Sequence, residues 1–262
     1  MGSIRFDKVN KVFGDTIKVL DGINLEIAEK EFVAIVGPSG CGKTTCLRMV
    51  AGFEAVTSGT VSVNGKAVTT PGPDRAVVFQ QFALFPWKSV RDNIDLGLRN
   101  KNLPKAERDR LIAEALTLMN LESHADAFPH QLSGGMQQRV AIARAYVLDP
   151  EVLLMDEPFG ALDAQTRVVM QEELVRLARR NPRTVLFITH AVEEAVYLAD
   201  RVAIMTKRPG RIKEVLDVKA VRTAENWDRH QKIEDVMDLE SFVQLRTHIW
   251  KSLRDEKGPH GV

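Results

Sequence analysis

Apolar residues recur along this chain with two periods, and the switches between them divide it. Ile4, Phe6 and Val9, then Ile23, Leu25 and Ile27, alternate with polar residues on either side of a turn at Gly14-Asp15, the period of half-buried strands. Residues 59–66 read as another strand, closing on an Asn64-Gly65 turn that signals a hairpin. A small antiparallel sheet is therefore expected at the N-terminal end. Solid apolar runs at 32–36, 76–79, 152–155, 184–188 and 202–205 predict buried strands. Helical stretches separate them, so their sheet should be largely parallel and covered on both faces.

From residue 90 to about 123 the spacing turns helical, as in Leu111, Ala115 and Leu118. A further helix is expected on the face Met136, Val140, Ala143 and Val147, begun by Ser133 as N-cap and ended before Pro150. Beyond Pro209-Gly210 the composition becomes polar until Leu239, Phe242, Val243, Arg246, Ile249, Trp250 and Leu253 mark one amphipathic helix. The expected organisation is an α/β domain over 1–210, with an N-terminal antiparallel β-subdomain and an α-helical insertion at about 84–148. A short helical tail over 211–262 follows, its last residues frayed.

Composition narrows the function only slightly. A chain of 262 residues can bury a full α/β core, as one large domain or one domain with an appendage. Its 36 Lys and Arg nearly balance its 35 Asp and Glu, which argues against a nucleic-acid partner, since such binding needs clustered cations. The only cysteines, Cys41 and Cys46, flank Lys43, where a disulfide would distort the chain, so free thiols and a reducing compartment are expected. No apolar stretch approaches the ~20 residues that span a bilayer, and the N-terminus is unlike a signal peptide, so a membrane role would come through a partner.

The chemistry concentrates in a few stretches. Gly37-Pro38-Ser39-Gly40-Cys41-Gly42-Lys43-Thr44-Thr45 lies between the apolar run 32–36 and a helical segment closed by Gly52, the order of strand, glycine-rich turn and helix that a phosphate cradle requires. Its glycines let backbone N–H groups turn toward a triphosphate at a helix N-terminus. Lys43 is placed to reach the outer phosphates and Thr44 to ligate Mg²⁺. At the end of the apolar run 152–155 comes Asp156-Glu157, one carboxylate to hold the metal and one to accept a proton from an attacking water. Gln80 follows another strand end, where its amide either reaches metal and water or makes an ordinary loop hydrogen bond. Leu132-Ser133-Gly134-Gly135-Met136-Gln137 opens a second anion-binding helix start that a single nucleotide in one lobe does not need.

Together these stretches resemble the ATP-binding-cassette (ABC) ATPases, by motif from Val12 to His190 and more loosely through Arg211. The resemblance implies a P-loop NTPase (RecA-like) core, ATP and Mg²⁺, and a head-to-tail dimer in which the second helix start presses on the γ-phosphate held by the opposite subunit. It implies nucleotide contacts from residues 37–45, from Ser133, Gly134, Gly135 and Gln137, and from Asp163, whose loop Gly160-Ala161-Leu162-Asp163 crosses the dimer. It assigns Thr44, Gln80 and Asp156 to the metal, Glu157 as general base, and His190 to the γ-phosphate and attacking water. Phe13 matches the aromatic that stacks on adenine, or else packs in the core. Cys41 falls where the family has a small residue or cysteine. His124, His130, His230, His248 and His260 have no comparable company.

Only one modest helical segment separates Gln80 from Leu132, which excludes the long coiled coil of DNA-repair and chromosome-organising members, and the single cassette is unlike the translation-factor branch. A soluble ATPase of iron-sulfur cluster assembly is the remaining rival. Residues 71–80, Leu84-Phe85-Pro86-Trp87, Asp92-Asn93-Ile94, 188–195 and 208–212 are similar to the nitrate, sulfonate and taurine importer ATPases. That similarity implies a second ATPase subunit, a transmembrane permease dimer, an extracytoplasmic solute-binding protein, and a peripheral position on the cytoplasmic face of the inner membrane. Leu84, Phe85 and Trp87 then either form a groove for the permease or lie buried under the helical insertion.

Overall fold

The computed structural model describes residues 2–14, 16–230 and 232–256, with Asn100 described by its backbone alone. Asp15 of the expected first turn, His260 and the expected frayed end at 257–262 lie outside the described residues. The strands in chain order are β1 (Ile4–Phe13), β2 (Ile17–Ile27), β3 (Phe32–Val36), β4 (Ser58–Val63), β5 (Lys66–Ala67), β6 (Arg75–Val78), β7 (Val152–Asp156), β8 (Thr184–Ile188), β9 (Arg201–Met205) and β10 (Ile212–Asp217). The helices are α1 (Lys43–Ala51), α2 (Val90–Leu98), α3 (Lys105–Leu118), α4 (Gly134–Tyr146), α5 (Ala164–Arg180), α6 (Val192–Leu198), α7 (Val218–Ala224), α8 (Ile233–Met237) and α9 (Glu240–Asp255), with short 3₁₀ turns between.

Two sheets carry the fold. The antiparallel one has the order β2-β1-β4-β5, and Asn64 and Gly65, with φ of 52° and 73°, make the tight hairpin that their sequence predicts. The second has the order β10-β9-β3-β8-β7-β6 and runs parallel from β9 to β6, with β10 antiparallel at its edge. Its central strands are buried on both faces, which is why their sequences do not alternate. On one face Ala34, Val36, Val185, Phe187, Leu153 and Met155 meet the helices of the insertion, α5, α6 and the tail. On the other, Val33, Ile35, Leu186, Ile188, Val152 and Leu154 meet α1 and the antiparallel sheet.

Residues 90–123 are helical as expected, in separate pieces, because Asn102 turns left-handed at φ 48° and Pro104 can only start a new helix. Two local expectations give way to the structure. Phe79 lies beyond β6 rather than buried in it, 40% exposed and stacked on Phe53 at 6.4 Å. The polar-looking segment after residue 210 opens with β10, whose residues are half-buried or exposed because it is an edge strand. Position 210 therefore falls between two hydrogen-bonded strands of one sheet.

The amphipathic helix expected near the end is α9. It places Phe242 and Ile249 fully inside the same core as β3 and β8, and Phe242 packs on Trp227 with ring centroids 5.6 Å apart. Phe242→Ala should consequently cost about 3–5 kcal/mol, the range for an aromatic removed from a packed core. Calorimetry should then find the thermal midpoint lowered by about 10 °C, and a shift of no more than ~1 °C would mean that the tail does not share the core.

Candidate functional site

The parallel strands of the second sheet deliver the predicted chemistry to one edge. Gly37 follows β3, Gln80 follows β6, Asp156 closes β7 and His190 follows β8, all at carboxyl ends, where open α/β sheets bind ligands.

The cradle is built by backbone conformations that its sequence permits. Gly42, the residue before α1, has φ 106°, and a Cβ there would come 2.5 Å from Leu20 Cδ2. Gly40 has φ 75° with open space around it, so only its backbone angle demands glycine. No side chain caps α1, so the N–H groups at its start face the loop without a side-chain acceptor. The Lys43 ammonium is nearly buried and donates to the carbonyls of Gly37 at 2.8 Å and Pro38 at 3.2 Å, leaving a third proton for an anion. Ser39 is exposed, and Pro38 and Thr45 are half-buried at its margins. Cys41 and Cys46 are free and buried. Burial raises both thiols, Cys46 to about 12, so they pack as small apolar groups and neither is poised to react.

Across from the cradle, Thr44 Oγ1 donates to Asp156 Oδ1 at 3.1 Å. Burial raises the Asp156 carboxyl above its ordinary value, opposed by the Thr44 bond, while the neighbouring Glu157 pushes it further up. A desolvated carboxylate beside a hydroxyl, both hard oxygen donors, fits Mg²⁺, which binds through one or two protein oxygens plus water and substrate phosphates. Groups of three or more His, Cys, Asp or Glu able to hold a metal by themselves are absent among the described residues. Glu157 sits at φ 45°, a conformation costly for a non-glycine residue, pinned by its N–H bond to Ile188 O at 2.8 Å. Its Oε2 lies 3.1 Å from Nδ1 of the exposed His190. Gln80 Nε2 lies over Gly160, close enough that a Cβ there would approach it to 3.2 Å.

A buried acid that the sequence does not advertise positions His190. Glu194 is 5% exposed, accepts from Thr189 Oγ1 at 2.5 Å and from Gln171 Nε2 at 3.1 Å, and Thr189 Oγ1 in turn accepts from Ala191 N. Burial raises the Glu194 carboxyl, and these bonds oppose that rise. The turn carrying His190 is thereby tied to α5 and α6. In sequence the only clue is a carboxylate four residues after the histidine, which an amphipathic helix also displays.

The second helix start forms a separate surface. Ser133 caps α4, its Oγ accepting from Met136 N at 3.3 Å, and Asp163 caps α5, accepting from Thr166 N at 3.0 Å and Thr166 Oγ1 at 2.7 Å. Those two bonds hold the Asp163 carboxyl below its usual range. A Cβ on Gly135 would come 2.5 Å from Thr166 Cγ2, and one on Gly134 3.6 Å from Leu162 Cδ2, so the two helix starts are packed together. Ser133, Gly134 and Asp163 face solvent. Gln137 instead turns its amide inward, to Pro129 O at 3.1 Å and Leu132 O at 3.2 Å.

Aromatic expectations resolve individually. Phe13 is 37% exposed, not core, with Lys11 Nζ 4.6 Å from its ring centre and that ammonium held by Glu54 at 2.6 Å. Trp87 is 70% exposed and meets Phe85 edge-on at 5.5 Å, whereas Leu84 is half-buried against the core. Fully buried Asn93 fixes this loop by bonding Phe85 N and the carbonyls of Phe85 and Lys88.

Known proteins resemble this chain in sequence and fold. A family profile described as ABC transporter matches residues 20–160. An uncharacterised ABC transporter ATP-binding protein of Methanocaldococcus jannaschii is 48% identical over 256 residues, 97% of this chain and 92% of that protein. The taurine import ATP-binding protein TauB of Rhizobium johnstonii is 45% identical over 238 residues, 90% of this chain and 89% of that one. A solved dimeric ATP-binding cassette in a post-hydrolysis state, bound to ADP and Pi, matches with a TM-score of 0.70 and 31% identity over 82% of this chain and 98% of its own.

The raised Asp156 carboxyl has a measurable consequence. Its folded value lies above the unfolded one, so its charge subtracts stability above the folded value and subtracts nothing once pH falls below the unfolded one. Asp156→Asn keeps an acceptor for Thr44 and should raise the melting temperature of the nucleotide-free protein at pH 7 while abolishing hydrolysis. The gain should shrink as pH drops through the carboxylate range; a gain independent of pH would contradict the assignment.

Proposed function

The chain belongs to the ABC transporter family, and we propose that it is the ATP-hydrolysing subunit of an importer for a small anion of the nitrate, sulfonate or taurine type. It is an ABC-type ATPase of the import subfamily. The observation that carries the reading as one half of a head-to-tail ATPase dimer is the division of chemistry between two surfaces. The cradle, Asp156 and the Glu157–His190 pair occupy one edge of the sheet, while Ser133 and Asp163 cap exposed helix starts on another. A second anion-binding helix start is intelligible if it meets the nucleotide of a second, head-to-tail subunit.

On this reading Lys43 and the free N–H groups of the loop bind the outer phosphates of ATP, and Phe13 offers its ring to the base. Thr44 and Asp156 would hold Mg²⁺, with Gln80 adjacent, and the ion would supply positive charge against the phosphates. Glu157 accepts the proton of the attacking water, and His190, aligned by Glu157 and by the Thr189 turn, orients that water and the γ-phosphate. In trans, Ser133, Gly134 and Gly135 supply donors, Gln137 braces the loop that presents them, and Asp163 crosses the dimer.

No helix among the described residues is long and apolar enough to cross a membrane. On this reading a separate permease dimer conducts the solute, with this chain peripheral on the cytoplasmic face and a solute-binding protein selecting the anion outside. Exposed Trp87 and Phe85, on a loop pinned by Asn93, suit a permease contact, and they weigh against a soluble iron-sulfur assembly ATPase. Likeness to a taurine import protein supports the solute class.

Glu157→Gln should slow hydrolysis by about 10²–10⁴-fold while leaving ATP binding intact. Light scattering should find an ATP-dependent dimer of that variant, lost when Ser133→Arg is added. Normal hydrolysis by an assembled transporter with Ser133→Arg in both cassettes would return Ser133 to a simple helix cap.

Substitution at the proposed permease contact should separate assembly from nucleotide binding. Trp87→Glu with Phe85→Ser should abolish co-purification with the permease and leave ATP affinity within about twofold, because both residues lie outside the cradle. Retained co-purification, with the fold intact by circular dichroism, would move the permease contact elsewhere.

A further inference from the structure

A cavity of about 450 Å³ lies at the amino ends of the parallel strands, the end opposite the phosphate cradle. Phe32 at the start of β3, Arg183 before β8 and Asp200 before β9 form its base, the second half of α5 and the end of α6 its walls, and the tail around Trp227 its roof. Two contacts latch the roof to α5: Arg179 pairs with Asp228, and Ile233 N donates to Glu172 at 3.1 Å. Phe32 and Trp227 are buried and Tyr197 is half-buried, giving the cavity flat apolar surface.

Its charges are unevenly satisfied. Each lining acid already has a partner: Asp200 accepts from Phe32 N at 3.0 Å, Glu172 from Ile233 N, and Asp228 from Arg179. Arg222 is used on the carbonyls ending α6, at Tyr197 and Ala199. Lys30 has no ion pair among the described residues, and Arg176, 69% exposed at its side chain, comes no closer than 3.9 Å to a carboxylate. Two cations without close partners thus stand at the rim of a roofed cavity with aromatic walls. Apolar walls with a few convergent polar groups are the usual form of a small-molecule site, and the excess charge selects the ligand.

We propose that this cavity is a binding site for a small organic anion with a flat apolar body, seated between Phe32, Tyr197 and Trp227 with its acidic group toward Lys30 and Arg176. The site is separate from the ATP site and does not depend on the function proposed above. It also gives the tail a role, because a ligand held there touches core and tail at once.

Naphthalene-2-sulfonate is a suitable probe, with uncharged naphthalene-2-methanol as its control. In the full chain carrying Trp87→Phe and Trp250→Phe, Trp227 is the sole indole and reports occupancy by fluorescence. The sulfonate should quench it saturably, excess MgATP should not displace it, and the alcohol should bind about tenfold more weakly or worse. Lys30→Glu with Arg176→Glu, both on the rim, should weaken the sulfonate by about tenfold or more, and Ala178→Phe, which fills the cavity from α5, should abolish binding. If Ala178→Phe fails to fold, the rim pair decides the matter alone. Absence of saturable binding up to about millimolar, displacement by MgATP, or equal affinity after the rim charges are reversed would each overturn the proposal.

Discussion

Strand β8 lies between β3 and β7, and the geometry of the site depends on that insertion. Two strand spacings, about 10 Å, therefore separate the cradle from the acidic pair. Thr44 and Asp156 reach toward each other across this gap. The middle strand feeds the turn that carries His190, so its imidazole arrives beside Glu157 instead of beside Lys43. Register matters as much as order: Ile188 pairs with Ile35 on one side and Asp156 on the other. A one-residue slip would exchange the buried faces of a strand covered on both sides. The packing that stabilises the sheet thereby also fixes the proposed catalytic constellation.

Rigidity behind the site has a similar source. Glu157 is held in a backbone conformation that costs free energy, and what holds it is a ladder hydrogen bond to the strand that precedes His190. Glu194 is a buried acid, expensive unless fully bonded, and its partners are the hydroxyl before His190 and an amide from α5. Both arrangements spend stability to limit the movement of a single imidazole and carboxylate. Arg144 does comparable work on the other flank, donating from α4 to the carbonyls of Phe82 and Ala83 in the loop after Gln80.

The cradle and the acidic pair were legible because each is a contiguous run at a strand end, where residue type and local conformation are strictly linked. Gly42 must adopt φ 106° beside Leu20, and no other residue does so cheaply. The solid apolar runs likewise announced a sheet buried on both faces. What escaped was what apolar periodicity does not carry. Nothing within residues 212–217 says that they add an edge strand to β9, since an edge strand is half-wet and its partner comes earlier in the chain. Periodicity also leaves the break between α2 and α3 unmarked, because a left-handed Asn102 and a proline at 104 end helices regardless of the apolar pattern around them. Phe79 looked buried because it continues an apolar run, yet the run outlasts the strand, and its ring finds Phe53 at the surface instead.

The tail shows how far a sequence boundary can differ from a physical one. Its polar composition suggested an appendage, but Phe242, Ile249 and Trp227 are as buried as the central strands, and the Arg179–Asp228 and Glu172–Ile233 contacts tie it to α5. Helix α5 starts at Asp163 and ends at the tail, and β8 runs from the tail side toward His190. A helix of 17 residues is a stiff element about 25 Å long, so displacement at one end is transmitted to the other, not absorbed. A tail packed at that end bears mechanically on the helix that presents Asp163. The tail thus joins the core through Phe242 and Ile249 and joins α5 through the more exposed Arg179–Asp228 pair and the Ile233–Glu172 bond.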